Sequence, residues 1–105
     1  AGISYELALA VVRAETTYRN LMVDDGASAG YMQVQERWHT DRMDRLGVDD
    51  LMDPLGNFRV GCDFLAELLE KYELEDALTW YNGGRTGPSE YSRKVMAYLE
   101  GYKHG

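Results

Sequence analysis

The Asp53-Pro54 pair constrains the fold of this chain more than any other pair of residues. Proline has no amide hydrogen to lose and its φ already suits the first helical position. An aspartate just before it can accept from the free amides of the first turn. The pair therefore starts a helix, predicted to continue to about Tyr72, with Phe58, Cys62, Leu65 and Leu69 at helical spacing. Such a helix needs other apolar faces to pack against, and the sequence supplies them. A first helix is predicted from Ser4 to Tyr18, with Ser4 as N-cap and Ile3 as a hydrophobic staple. A second covers about Glu36 to Leu46 and stops at Gly47. Leu74 to Tyr81 forms a shorter helix ended by Asn82-Gly83-Gly84, and Ser89 to Tyr102 a last one with Val95, Tyr98 and Leu99 inward. Residues 20–30 read as a long loop of small and acidic residues, and Tyr31 to Val34 as either a short strand or a helical turn. The fold class is mainly α: five to six helices with at most a very short β element.

At 105 residues and 45% apolar composition, the chain is one domain able to form a core without metal or disulfide. Its one cysteine, Cys62, falls among helix-spaced apolar residues and reads as a packing residue. The net charge of −7 argues against nucleic acid or an anionic membrane as partner. No apolar stretch has the length of a transmembrane segment. The chain opens at Ala1 almost directly on a helix, so residues 1–105 read as a single domain taken from a longer protein.

Glu15 is a lone carboxylate near the end of the otherwise apolar first helix, on the face shared by Ala8 and Val11. Burial there would raise its pKa, and an acid kept protonated near neutrality can act as a general acid. The alternative is a helix-end glutamate bonded to a backbone amide or to Arg13. Trp80-Tyr81-Asn82-Gly83-Gly84 suits a carbohydrate groove: tyrosine can stack on a sugar or donate to a carboxylate, and asparagine can bond an acetamido group. The same residues could instead be a core tryptophan, a half-buried tyrosine and a helix cap. Gly26-Ala27-Ser28-Ala29-Gly30 fits the pattern of a serine-hydrolase elbow but lacks the strand and sheet that the elbow requires. Asp24-Asp25 and Asp49-Asp50 are not followed by the alternating oxygen ligands of a calcium loop. His39 and His104 are in no zinc-like spacing, and His39 reads as a solvated or capping residue. No metal and no cofactor are expected.

Five blocks, taken in order, resemble the bacterial lytic transglycosylase (soluble lytic transglycosylase) domain, related to goose-type lysozymes. Ala14-Glu15-Thr16-Thr17-Tyr18 resembles the family's catalytic Glu-Ser-x-Phe block. Gly30-Tyr31-Met32-Gln33 resembles Gly-Leu-Met-Gln, and the 18 positions from Glu15 to Gln33 are typical of the family. Asp53-Pro54, Asn57-Phe58, Gly61 and Phe64-Leu65 resemble its Asp-Pro-x-x-Asn-Ile-x-x-Gly-x-x-Tyr-Leu block. Trp80 to Gly84 resembles Ala-Tyr-Asn-Ala-Gly, and Tyr91-Ser92-Arg93-Lys94-Val95 the closing Tyr-Val-Arg-Lys-Val helix.

The resemblance implies a lysozyme-like fold and cleavage of the β-1,4 bond between N-acetylmuramic acid and N-acetylglucosamine in peptidoglycan. It makes Glu15 the single general acid/base, yielding 1,6-anhydromuramyl ends. By position, Gln33 would bond substrate near the cleaved linkage, Tyr81 would hold Glu15, and Asn82 would shape the site. Tyr91 would stand near the pocket, with Met32 and Tyr31 lining the groove. Where the family commonly has serine, nine positions after the glutamate, this chain has Asp24, followed by Asp25. A second carboxylate there could position water for inverting lysozyme chemistry, which needs a carboxyl separation of about 6.5–9.5 Å. Muramidase activity is thus the alternative, and a non-catalytic glycan-binding module of a phage tail or secretion apparatus a second one. The expected partner is the peptidoglycan strand, acted on by a monomer at the cell envelope or outside the cell.

Overall fold

The computed structural model describes residues 3–23 and 26–104. Five α-helices occur among them: α1 (Tyr5–Thr16), α2 (Thr40–Leu46), α3 (Pro54–Lys71), α4 (Leu74–Gly83) and α5 (Glu90–His104). Two short strands, β1 (Met22–Val23) and β2 (Ser28–Ala29), pair antiparallel with Met22 opposite Ala29. An isolated bridge then joins Ala29 to Val34. The predicted loop therefore contains a small hairpin, and the mainly α expectation holds.

The helix ends follow the local chemistry. Ser4 accepts from the Leu7 amide at 3.1 Å, Asp53 accepts from the Gly56 amide at 3.0 Å, and Pro54 is the first residue of α3. Ser89 and Ser92 cap α5 reciprocally, each hydroxyl accepting from the other residue's amide. The predicted second helix is broken. Glu36–Trp38 is a 3-10 turn, His39 departs from helical geometry at φ −131°, and α2 begins only at Thr40.

α5 packs along α1, and α4 packs on both α3 and α5. The core lies between them, where Val11, Val60, Leu65, Leu78 and Val95 are fully buried. Each such aliphatic side chain contributes on the order of 1.5–3 kcal/mol by leaving water. α2 is fastened to α3 by charge: Asp63 accepts from Arg42 and from Arg45, both at 2.5 Å.

Candidate active site

Three helices hold the four-residue turn Gly30 to Gln33. From the end of α1, the Thr16 hydroxyl is within 3.2 Å of the Tyr31 carbonyl while also bonding back to Val12. From α3, the fully buried Asn57 accepts from the Met32 amide at 2.8 Å and donates to the Ala29 and Leu51 carbonyls. From α4, the Tyr81 hydroxyl donates to the Met32 carbonyl at 2.8 Å. Both backbone groups of Met32 are thus satisfied by side chains of different helices, as burial demands.

Two glycines permit the approach. Gly30 has φ +79°, and a Cβ there would lie 2.1 Å from the Asn57 amide nitrogen. At Gly61 a Cβ would lie 2.6 Å from the Met32 sulfur. The Gly30 to Gln33 segment and the Asn57-x-x-x-Gly61 segment are therefore two halves of one joint.

The turn distributes its side chains unequally. Met32, expected to line the groove, is completely buried against Gly61 and Cys62 and serves the core instead. Tyr31 is also absent from the cleft wall: its ring stacks on Phe58 of α3 at 5.7 Å, nearly parallel. Gln33 does reach the cleft. It sits at φ +50°, a region that non-glycine residues seldom adopt. Its amide nitrogen donates to the Leu21 and Gly30 carbonyls, which leaves its side-chain oxygen for a ligand.

A cleft of about 890 Å³ opens beside the turn, lined among others by Glu15, Gln33, Tyr81, Asn82 and the glycines ending α4. Glu15 is half-buried near the end of α1. Burial raises its carboxyl from the ordinary 4.5 to about 7, against the smaller opposing effects of the Tyr91 hydroxyl and the Lys94 charge. Arg13 is engaged elsewhere, lying 4.1 Å over the Tyr98 ring, and Glu15 has no ion-pair partner among the described residues. The Tyr91 hydroxyl is buried beside the acid, close enough to favour its ionised form, yet meets no partner in full hydrogen-bonding geometry. Tyr81 feels the Glu15 charge, but its proton goes to Met32 and not to the carboxylate, so it fixes the turn beside the acid. Asp24 and Asp25 lie outside the described residues.

Several wall residues escaped the sequence reading. His39 stands at the N-cap position of α2, without a side-chain cap bond, and is buried, not solvated. Its ring packs on Phe64 at 4.5 Å, and Phe64 packs on Tyr81 at 5.2 Å, giving an aromatic row along the cleft. Burial and the adjacent Arg42 lower the His39 pKa, and its Nδ1 accepts from Arg42 Nε at 3.3 Å. A nitrogen that accepts carries no proton, so this contact places the ring proton on Nε2. His39, Arg42 and Phe64 come together only because α2 docks on α3, and the one sequence hint is the three-residue spacing of His39 and Arg42. Among the described residues no three His, Cys, Asp or Glu side chains form a metal-binding group, and no helix is long and apolar enough to cross a membrane.

A carboxyl raised to about 7 on the wall of an aromatic-lined cleft, in a lysozyme-like helical fold, is an arrangement suited to an enzyme acting on glycan chains. Sequence comparison narrows that class. Residues 1–101 match the model of the transglycosylase SLT domain, and the chain belongs to that family. Its members are lytic transglycosylases acting on peptidoglycan in the cell envelope, so this chain is a peptidoglycan-cleaving enzyme. No solved structure matches the chain.

Proposed function

We propose that Glu15 alone carries both proton transfers of a non-hydrolytic cleavage of the muramic acid–N-acetylglucosamine bond. The protonated carboxyl gives its proton to the glycosidic oxygen, and the C1–O4 bond breaks with its electron pair leaving on oxygen. The acetamido oxygen of the muramic residue stabilises the developing oxocarbenium charge. The Glu15 carboxylate then takes the proton of the O6 hydroxyl as O6 bonds to C1, closing a 1,6-anhydro ring and restoring the acid. Gln33 and Asn82 bond the sugars flanking the linkage, and Tyr91 steadies the ionised form between the two transfers.

The single observation that carries this reading is the place of Glu15, part-buried on the wall of the cleft, where burial raises its carboxyl to about 7 and lets it both give and accept a proton near neutrality. We infer further that residues 1–105 form a monomeric catalytic domain, working at the envelope or outside the cell after export or phage delivery. Mass spectrometry of the muropeptides released from purified sacculi tests the chemistry. Anhydro ends are expected. Reducing ends would instead mean hydrolysis, with Asp24 or Asp25 as the second carboxylate, and Asp24→Asn and Asp25→Asn would then lower the rate.

A further inference from the structure

Trp38 is 68% exposed although it lines the same cleft as Glu15. A tryptophan exposed on a cleft wall offers a ligand a large, rigid apolar surface. Tyr5 and Leu55, the other most exposed large side chains, are not part of that wall.

The indole is also held in place. Its Nε1 donates to Gln35 Oε1 at 3.1 Å, and Gln35 Nε2 donates to the hydroxyl of Ser28 at 3.3 Å. Ser28 is buried in β2, so the relay ties the ring to the hairpin. The Arg37 guanidinium lies 4.9 Å over the ring and occupies one face. The polar edge is thus satisfied and one face is covered by Arg37, while most of the ring stays exposed on the cleft wall. A fixed aromatic face is suited to the C–H surface of a pyranose ring.

We propose that Trp38 is a sugar-stacking platform that binds an N-acetylhexosamine ring of the glycan strand at a subsite beyond those flanking the cleaved bond. The proposal rests on the peptidoglycan-cleaving reading of this cleft and extends it by a further ring. Stacking at such a further subsite makes affinity depend on chain length, because a strand must extend past the cleaved bond to reach it.

Calorimetric titration of the Glu15→Gln protein with N-acetylglucosamine oligomers of three to six residues tests this without turnover. Adding Trp38→Ala is expected to weaken binding of the longest oligomer about ten-fold while sparing the shortest, with Trp38→Tyr recovering most of the loss. The side chain is exposed, so the melting temperature should not move. Equal affinity with and without Trp38 at every length would overturn the proposal, as would an equal loss at every length. If no soluble oligomer binds, the same variants are compared by co-sedimentation with sacculi, where equal retention would overturn it. Residual turnover by Glu15→Gln alone would refute the role of the acid and leave the Trp38 comparison standing.

Discussion

Replacing Glu15 with glutamine should make the protein more stable, and by an amount that depends on pH. The carboxyl titrates near 7 in the folded chain and near 4.5 when exposed. A displacement of that size, at about 1.4 kcal/mol per pH unit, comes to roughly 3 kcal/mol. The sign follows from proton binding. Between pH 4.5 and 7 the folded state binds more protons at this site than the unfolded state does. The contribution is therefore fully present below 4.5 and is lost as pH rises through 7. Glutamine carries no such proton, so Glu15→Gln should match the native chain in stability near pH 4 and exceed it by about 2–3 kcal/mol at pH 8.5. Urea denaturation of both proteins across that range measures the difference directly. The same substitution should lower activity by at least about 10²–10⁴-fold, the usual contribution of a general acid. Parallel stability curves would refute the idea that burial holds this acid protonated, whatever the activity showed.

Tyr91→Phe removes a donor that favours the ionised acid, so the alkaline fall in activity should move to higher pH, read from a pH–rate profile. Asn57→Ala leaves the Met32 amide and the Leu51 carbonyl without their Asn57 partner, while the Ala29 carbonyl keeps the Val34 amide, and should cost about 2–4 kcal/mol in thermal or urea unfolding. Gly61→Ala forces a methyl against the Met32 side chain and should cost about 1–3 kcal/mol, less in a Met32→Ala background, which removes the sulfur and terminal methyl contacts but keeps the one to Cβ.

The parts of the fold legible in the sequence are those fixed by chemistry within a few residues. Ser4, Asp53-Pro54 and Gly47 mark helix ends because the groups they satisfy are three or four positions away. Two-residue strands carry no periodicity, so the Met22–Val23 and Ser28–Ala29 hairpin had no pattern to reveal it. His39 read as solvated or capping because it lies between Trp38 and Thr40 in a polar helical segment, whereas its burial comes from Phe64 on another helix. Glu15 stood out as a charge on an apolar face. Met32 was placed in the groove by its position in a block resembling the family's, while a tight turn sends consecutive side chains in different directions. Gln33 enters the cleft and Met32 the core for that reason.

The joint around Met32 also bears on how the molecule comes apart. A loop on the surface ordinarily opens at little cost, with its own local equilibrium. Here the turn bearing Gln33 is bonded to α1, α3 and α4 at once, so it has no local route to disorder. Freeing it means separating three helices from the interior, which is unfolding of the whole domain. The catalytic groove should accordingly share one cooperative unit with the core: the Met32 amide should exchange with solvent no faster than the slowest core amides. Denaturant should abolish sugar binding and helical dichroism at one common midpoint, with no inactive but folded species between.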